Sequence, residues 1–177
     1  MTARVFIGIG SSVAPETNVA NALQRLGDTV GVLALSTFFV TPALERPTHP
    51  PFVNGVAQVG DLATPSGLKT LLRDVEEAVG RRRGADRFAP REIDLDLLLY
   101  GDVVSSTADL PLPHPDVTAR RFVALPLLEL APDLVLPGAG VPLASLAQAL
   151  PPYPMKPLVQ LTRELRRRYV VHGHRQG

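Results

Sequence analysis

The sequence has no cysteine among its 177 residues. Disulfide bonds, zinc–thiolate sites and cysteine nucleophiles are therefore excluded. Long apolar runs are also missing: no stretch of about 18 residues is free of both charge and proline, so we expect no membrane-spanning segment. The apolar run that follows Met1 is too short for a signal peptide, and a cytoplasmic protein is expected.

Lysine is scarce, and neither sign of charge dominates. Only Lys69 and Lys156 are lysines, while 18 basic side chains face 17 acidic ones and leave a formal net charge of +1. This balance gives no strong field to attract nucleic acid or an anionic membrane, and we expect neither as a partner. The other basic residues are arginines, whose planar guanidinium suits phosphate and carboxylate. On composition alone, GC-rich codon usage is the simpler explanation of the arginine excess.

Length and composition indicate one globular domain. The chain is 45% hydrophobic and 20% charged, which is ordinary for a folded protein. Its length is close to the usual range of about 100–150 residues for one domain. We assign residues 1–150 to the main domain and residues 151–177 to a C-terminal extension of unknown role, because the chain there becomes rich in proline and then in arginine.

Hydrophobic periodicity and turn residues predict alternating strands and helices. A strand at Val5–Ile9 is followed by a helix that begins near Pro15 and ends at Gly27. The further predicted elements are strands at Thr29–Val40 and Phe52–Val59, a helix from Thr64-Pro65 to Gly80, a strand at Ile93–Tyr100, a helix at 118–131, a short strand at 134–136 and a short helix at 143–150. The initial order, β-α-β-β-α-β, favours a ferredoxin-like α+β core with helices packed on the sheet.

Two aspartates inside a strongly apolar, central-looking strand are the strongest local feature. Because side chains alternate along a strand, Asp94 and Asp96 share one face, and the odd-numbered apolar residues from Ile93 to Leu99 share the other. At this spacing the two carboxylates lie about 6–7 Å apart and repel each other unless they are paired. A hard divalent cation such as Mg²⁺ removes the repulsion, and two such ions can share the pair. The alternative is an edge strand with a solvated polar face.

Five arginines fall in residues 81–91, directly before the aspartates; we call this stretch the arginine segment. Its arginines are Arg81, Arg82, Arg83, Arg87 and Arg91. Cations beside metal-binding carboxylates suit polyphosphate chemistry, because Mg²⁺ bridges phosphate oxygens while arginines offset the charge that develops during transfer. The alternative is a surface cluster in which the arginines simply pair with the aspartates.

An aromatic ring and an amide share one face of another predicted strand. Phe52 and Asn54 together suit a flat heteroaromatic ring, although a core phenylalanine is the alternative. His114, held between two prolines, is a candidate phosphate contact, although a lone histidine is more often structural.

Two further patterns are set aside. Gly8-Ile9-Gly10 is similar to the start of a dinucleotide-binding fingerprint, but no third glycine follows in register, and we discount such a site. His172 and His174 are interpreted as a solvated chain end and not as a metal site.

The candidate residues belong to several ordered blocks of sequence. The most specific block is Pro90-Arg91-Glu92-Ile93-Asp94-Leu95-Asp96. The others are Ile7-Gly8-Ile9-Gly10-Ser11, Ser36-Thr37-Phe38, Thr41-Pro42, Phe52-Val53-Asn54, Glu76 with Gly80-Arg81-Arg82-Arg83, and Pro113-His114-Pro115 through Arg120, Phe122 and Pro126. Together they resemble the 6-hydroxymethyl-7,8-dihydropterin pyrophosphokinase family over roughly residues 4–137. The resemblance implies a ferredoxin-like, three-layer α/β/α fold with a largely antiparallel central sheet. It also implies transfer of pyrophosphate from ATP to the hydroxymethyl group of the pterin, with release of AMP, in folate biosynthesis.

The resemblance implies a role for each candidate residue. Asp94 and Asp96 would hold two Mg²⁺ ions, and with Arg81 and Arg91 they form the implied catalytic set. The implied ATP contacts are Glu76, Arg83, Arg87, His114 and Arg120. The implied pterin pocket consists of Thr41, Pro42, Leu44, Phe52, Asn54 and Phe122, with the ring stacked between the two phenylalanines. ATP and hydroxymethyldihydropterin are the expected partners of a monomer, with a homodimer as the alternative.

Some positions depart from the pattern of that family. Ser12 stands where the family usually has asparagine, Phe88 replaces a common tryptophan, and Pro115 replaces an aromatic or polar residue after the histidine. None of these changes removes a metal ligand or Arg81 or Arg91. Two other classes of protein stay open: an RNA-binding module, disfavoured by the acidic sheet face, and a metal-dependent phosphodiesterase that uses the same aspartates.

Overall fold

The computed structural model describes residues 3–171, which form six strands and six helices. The strands are β1 (Val5–Ser11), β2 (Val32–Leu35), β3 (Phe39–Thr41), β4 (Phe52–Val59), β5 (Asp94–Tyr100) and β6 (Lys156–Pro157). The helices are α1 (Pro15–Thr29), α2 (Pro65–Val79), α3 (Asp116–Ala119), α4 (Arg121–Leu130), α5 (Leu143–Ala149) and α6 (Val159–Tyr169). His172 and His174 lie outside the described residues. Within the described range, no helix has both the length and the apolar character needed to cross a membrane.

The six strands join one sheet in which every pairing is antiparallel. The path runs β5-β1-β4-β3-β6, and β2 pairs with β4 beside it. In this register Gly10 of β1 lies between Asn54 of β4 and Asp94 of β5. β5 therefore lies at the edge of the sheet formed by residues 3–171, and the expectation of a central strand is wrong.

Helices cover both faces of the sheet, as the predicted α+β class requires. One face packs against α1, α2 and α6, and its core includes Ile7 and Leu95. The other face packs against α4 and α5, and its core includes Phe6. Because Asp94 and Asp96 alternate with Leu95, both aspartates lie on the α4 side of the sheet. The ferredoxin-like α+β architecture is confirmed.

A β-bulge changes the expected alternation in β5. Phe6 pairs with Leu99 and Ile7 pairs with Leu97, so Leu98 is an extra residue opposite β1. Leu97 packs in the core against α1 and α2, whereas Leu98 and Leu99 pack in the core against α4. The prediction that Leu99 shares the face of Leu97 is therefore wrong, because a bulge inverts the side-chain phase. The inversion lies beyond Asp96, so the two aspartates keep their common face.

The predicted strand at Thr29–Val40 is in fact two shorter strands. It starts late because α1 continues through Gly27, the expected stop, to Thr29. The regular strand pairing is interrupted between β2 and β3, where two side-chain oxygens accept backbone N–H groups. The Ser36 hydroxyl accepts a backbone N–H of β4 at 2.8 Å, and the Phe38 N–H donates to Thr162 Oγ1 of α6 at 2.9 Å.

The second half of the chain also departs in detail from the prediction. The expected helix at 118–131 is divided into α3 and α4 at Arg120, whose backbone is extended with φ −121° and ψ 119°. Pro126 lies inside α4 without ending it. The expected strand at 134–136 is only an isolated bridge between Val135 and Pro142.

Residues 151–171 contribute to the same sheet and core. β6 pairs with β3, and Leu165 of α6 is buried in the core with α1. The Arg166 guanidinium donates to Leu35 O of β2 and pairs with Glu129 of α4, each at 2.9 Å. The division of the chain at residue 150 stays a prediction from the sequence.

Candidate active site

The end of α2 carries a buried carboxylate and turns the arginine segment back over it. Glu76 is only 3% exposed. α2 ends at Gly80, whose φ of 110° is in the left-handed region that favours glycine. Beyond this turn, Arg81 Nη1 lies 2.5 Å from Glu76 Oε1, and Arg83 Nη2 donates to Oε2 at 2.8 Å. Glu76 Oε1 also accepts the Leu95 N–H of β5 at 2.8 Å. One carboxylate therefore joins α2, the arginine segment and β5.

Two arginines occupy both carboxylate oxygens of Asp94. Arg81 Nη1 lies 2.8 Å from Oδ1, and Arg91 Nη1 lies 2.5 Å from Oδ2. The Arg91 guanidinium also donates to the Arg87 carbonyl, and its backbone N–H donates to Ser12 Oγ at 2.9 Å. Ser12, one of the departures from the family pattern, thus holds the end of the arginine segment. The arginine–aspartate pairing of the alternative interpretation is present at Asp94.

Asp96 faces a histidine instead of an arginine. His114 Nε2 lies 4.0 Å from Asp96 Oδ1, and the His114 N–H donates to Leu98 O at 2.9 Å, which places the histidine beside β5. His114 Nδ1 accepts the Asp116 N–H at 3.1 Å. From this hydrogen bond we assign the ring proton of neutral His114 to Nε2, the atom nearer Asp96. One ligand atom from each of Asp96, His114 and Asp116 lies within 4.8 Å of the other two.

The carboxyl group of Asp96 carries charge that its surroundings do not neutralise. Its side chain is 43% exposed toward the cleft. Burial by the cleft walls, followed by repulsion from Asp94, Asp116 and Glu76, raises its pKa from 3.8 to about 7. Burial also lowers the pKa of His114, against the opposing effect of Asp116 and Asp94. A neutral imidazole therefore cannot supply the positive charge that Asp96 lacks.

Burial and the ion pair between Glu76 and Arg81 shift the pKa values of both residues. Burial raises the pKa of Glu76, although the Leu95 N–H and the Arg81 charge favour its ionised form. Burial lowers the pKa of Arg81, but Asp94 and Glu76 together raise it above its ordinary value. Arg81 is thus fixed as a cation between two carboxylates.

Gly10 lets the two sides of the site approach each other. A Cβ at this position would lie 2.9 Å from Asn54 Oδ1, closer than real Cβ contacts allow. The amide of Asn54 is fixed by donating to Thr41 Oγ1 at 2.7 Å. The Gly8-Ile9-Gly10 pattern, discounted as a dinucleotide fingerprint, therefore forms the floor of the cleft.

A cavity of about 370 Å³, which we call the first cavity, lies over this floor. Its lining contains all six residues of the predicted pterin pocket: Thr41, Pro42, Leu44, Phe52, Asn54 and Phe122. Arg87 and Arg120, predicted as ATP contacts, also line this cavity. It combines two phenylalanine rings with an amide, which is a surface suited to a flat polar ring.

A second cavity of about 440 Å³ lies on the other side of the aspartates. Its lining is strongly charged. It includes three of the predicted ATP contacts, Glu76, Arg83 and His114, and Arg81 of the predicted catalytic set, together with Lys69, Arg73 and Asp109. Four residues line both cavities: Arg91, Asp94, Asp96 and Asp116. The two cavities therefore meet at the paired carboxylates.

Four charged residues of this cleft, Lys69, Arg73, Asp109 and Asp116, were missed from the sequence. Lys69 and Arg73 lie on the face of α2 that also carries Glu76, and both contact Asp109, at 3.4 and 3.0 Å. Their helical spacing was the available signal. Asp116 was signalled only by its position directly after the His114-Pro115 pair.

The oxygen donors at the junction of the cavities fit a hard divalent cation. Carboxylates are the protein ligands that Mg²⁺ prefers, and burial together with three neighbouring carboxylates raises the pKa of Asp96, so its ionised form would be stabilised by a cation. Asp96 and Asp116 offer oxygens beside the His114 ring. Asp94 fits as a further ligand once its arginine partners move, because they hold both of its oxygens.

The antiparallel sheet, the helices on both faces and the cleft that ends on paired carboxylates define a ligand-binding α+β protein of the ferredoxin-like class. The sequence pattern of the 7,8-dihydro-6-hydroxymethylpterin-pyrophosphokinase (HPPK) family matches residues 6–132. The chain therefore belongs to this family.

Curated relatives from bacteria cover most of the chain. The 2-amino-4-hydroxy-6-hydroxymethyldihydropteridine pyrophosphokinase of Pseudomonas aeruginosa is 38% identical over 141 residues, which cover 77% of this chain and 86% of the relative. The protein of the same name from Methylorubrum extorquens is 37% identical over 141 residues, which cover 78% of this chain and 89% of the relative.

Solved structures with the same fold come from Plasmodium falciparum HPPK-DHPS. The wild-type protein with pteroate superposes with a TM-score of 0.66 at 11% identity and covers 84% of this chain and 44% of that chain. The wild-type protein with SDX-DHP gives a TM-score of 0.61 at 11% identity and covers 83% of this chain and 43% of that chain. This chain thus spans less than half the length of these solved chains, and the likeness shows the fold alone.

Proposed function

We propose that the chain transfers the pyrophosphoryl group of ATP to the hydroxymethyl group of 6-hydroxymethyl-7,8-dihydropterin at the junction of the two cavities, releasing AMP. This is the pyrophosphokinase reaction of the family to which the chain belongs, a step of folate synthesis. The observation that supports this site most directly is the shared lining. Arg91, Asp94, Asp96 and Asp116 belong to both cavities, so two ligands of different chemistry would meet at the carboxylates.

The first cavity is proposed to bind the pterin. Phe52 and Phe122 supply aromatic faces, and Asn54 supplies a fixed amide for the polar edge of the ring. Backbone groups near Thr41 and Pro42 complete the pocket. The hydroxymethyl group would then point toward Asp94 and Asp96, since these residues line the first cavity where it meets the second.

The second cavity is proposed to bind ATP. Arg81, Arg83 and His114 line it, and guanidinium groups bind phosphate oxygens well. Glu76 holds Arg81 and Arg83 in place through its two carboxylate oxygens. Arg87 and Arg120, which line the first cavity, are proposed to act on the phosphates from the pterin side.

Asp94 and Asp96 are proposed to hold two Mg²⁺ ions, with His114 and Asp116 beside them. Bound Mg²⁺ supplies charge neutralisation for the phosphate oxygens and polarises the oxygens that it binds. In the reaction, the pterin hydroxyl oxygen attacks the β-phosphorus, and its proton is released to solvent. The bond from that phosphorus to the oxygen bridging the α-phosphate breaks, and AMP leaves with the electron pair. The protein residues contribute by holding both reactants in line and by closing the cleft against water.

A monomer is proposed as the active form. Both cavities are lined by side chains of one chain, so a single copy supplies a two-substrate cleft. Light scattering coupled to size-exclusion chromatography checks this assignment. A mass twice that of the chain would contradict it.

Incubation with ATP and Mg²⁺, with and without hydroxymethyldihydropterin, tests the proposed function. We expect AMP and the pterin diphosphate in equal amounts, and only when all three components are present. A non-catalytic binding module forms no AMP, and a phosphodiesterase releases AMP without the pterin. Either of those results would contradict the proposal.

A further inference from the structure

The segment between α5 and α6 runs along the outer side of the first cavity; we call residues 150–158 the strap. It is anchored at three places besides its central tyrosine. The Arg121 guanidinium donates to Leu150 O at 3.0 Å, β6 pairs with β3, and the Leu158 N–H donates to Phe38 O at 2.8 Å. The strap lies beyond residues 6–132, the part of the chain that matches the family pattern.

Tyr153, near the middle of the strap, makes two different contacts with the wall of the first cavity. Its ring centroid lies 5.5 Å from that of Phe122, with the rings tilted by 47°. Its hydroxyl donates to the carbonyl oxygen of Pro42 at 2.8 Å. Phe122 and Pro42 both line the first cavity, whereas Tyr153 contacts these two residues without itself lining the cavity.

Each contact restrains a part of the wall that is not fully buried. Phe122 is half-buried near the start of α4, and Pro42 is exposed just after β3. An aromatic contact restricts the orientation of the Phe122 ring, and a hydrogen bond restricts the position of the Pro42 carbonyl. A wall held in its binding conformation loses less conformational freedom when a ligand binds.

We propose that Tyr153 is a positioning residue for the pterin pocket, which holds Phe122 through its ring and the Pro42 backbone through its hydroxyl. This inference rests on the proposed function, since it takes the first cavity as the pterin site. It assigns to the C-terminal segment a role in pterin affinity.

Fluorescence titration of 6-hydroxymethylpterin tests the proposal without requiring turnover. The titration is made with and without Mg²⁺ and α,β-methylene-ATP on wild type, Tyr153→Phe and Tyr153→Leu. Tyr153→Phe keeps the ring and loses the Pro42 hydrogen bond, so we expect pterin binding about 2–10-fold weaker. Tyr153→Leu loses both contacts, and we expect a loss of about tenfold or more. Tyr169→Phe on α6 is the matched control, and its affinity should equal that of wild type.

Kinetics and a double variant separate positioning from general destabilisation. We expect the KM for the pterin to rise while kcat and the KM for ATP stay near wild type. In the Tyr153→Leu/Phe122→Leu double variant, the loss of pterin-binding free energy should be smaller than the sum of the losses in the two single variants, because Tyr153 acts through Phe122.

The pterin titration tests the role of Tyr153, and the turnover assay tests the proposed function, so either can be contradicted without the other. Unchanged pterin affinity in both Tyr153→Phe and Tyr153→Leu overturns the proposal, as does an equal loss of ATP affinity. If Tyr153→Leu does not fold, as judged by thermal unfolding, Tyr153→Phe alone decides. Absence of AMP from the wild-type chain contradicts the proposed function, whereas the pterin titration still measures the role of Tyr153.

Discussion

The two cavities of the cleft are held in place by different interactions. The first is built on strands and on α4, and its amide is fixed by one hydrogen bond between neutral groups, from Asn54 to Thr41. The second is lined mostly by charged side chains, several of which form ion pairs: Arg81 pairs with Glu76 and Asp94, and Arg91 pairs with Asp94, whereas Asp96 has no arginine partner. On the proposed function, the pterin side therefore needs no ion pair to be broken at its Asn54–Thr41 wall, whereas a cation reaches Asp94 only after ion pairs are exchanged.

This difference suggests how ATP and Mg²⁺ would enter. A cation that binds Asp94 displaces two guanidinium groups, and phosphate oxygens are natural new partners for those groups. Removing one partner of a buried ion pair without a replacement destabilises a protein by about 3–5 kcal/mol. Arrival of Mg²⁺ together with ATP avoids that cost, because each charged group changes partner and none is left unpaired.

The largest expected effect comes from the carboxylate at the junction of the cavities. Asp96→Asn keeps the shape of the side chain but removes the negative charge offered to a cation. We expect turnover to fall by at least about 10³-fold while pterin affinity at the first cavity is retained. AMP release and pterin titration measure the two quantities. Asp102→Asn, an exposed acid outside both cavities, is the control, and near-normal turnover of Asp96→Asn would remove the carboxylate from the mechanism.

The next effect concerns the arginine that Glu76 and Asp94 share. Arg81→Ala should lower kcat by about 10²-fold, because a preorganised cation that acts in transfer is lost. We expect a smaller change in the KM for ATP. The neighbouring Arg82 is exposed and lines neither cavity, so Arg82→Ala should behave as wild type. A change confined to the KM for ATP would assign Arg81 to ground-state binding alone.

A smaller effect is expected from the aromatic wall of the first cavity. Phe122→Ala removes one face of the predicted stack and should weaken pterin binding by about 10–100-fold. ATP affinity should stay unchanged, because Phe122 lies on the first cavity only. If the two affinities fell together, the separation of the cavities would be wrong. Calorimetric titration with each ligand measures both.

The smallest effect is a dependence of stability on pH. The pKa of Asp96 is raised from 3.8 to about 7, so ionised Asp96 destabilises the chain without a cation, and stability is lost as pH rises from about 4 through about 7. Asp96→Asn lacks this loss. In the presence of EDTA, the Tm of Asp96→Asn should rise relative to that of wild type between pH 5 and pH 8. The rise should be only a few degrees, because solvent screens the part-exposed side chain. Added Mg²⁺ should reduce this difference in Tm, and a difference that does not change with pH would contradict the assigned pKa.

The sequence predicted the first cavity better than the second. Alternation along β4 and β5 places Asn54 beside Phe52 and Asp94 beside Asp96, and the structure keeps both arrangements. The contacts of the Glu76 carboxylate with Arg81, Arg83 and the Leu95 N–H were not predictable, because they depend on how α2 packs against β5. The bulge at Leu98 left no local signal either, since the residues on either side of it, Leu97 and Leu99, are also leucines. Tyr153 was missed because its contacts join segments far apart in the sequence.

The exchange of arginine for a cation at Asp94 is the central claim, and an Mn²⁺ titration without nucleotide tests it most directly. Mn²⁺ serves as the probe because it shares the oxygen ligands of Mg²⁺. Arg91→Ala frees one oxygen of Asp94, so we expect it to bind Mn²⁺ about 2–5-fold more tightly than wild type. Arg87→Ala removes the same charge from the same segment but leaves Asp94 paired, and its affinity should change less. Equal affinities for Arg91→Ala and Arg87→Ala, or weaker binding by Arg91→Ala, would contradict the account.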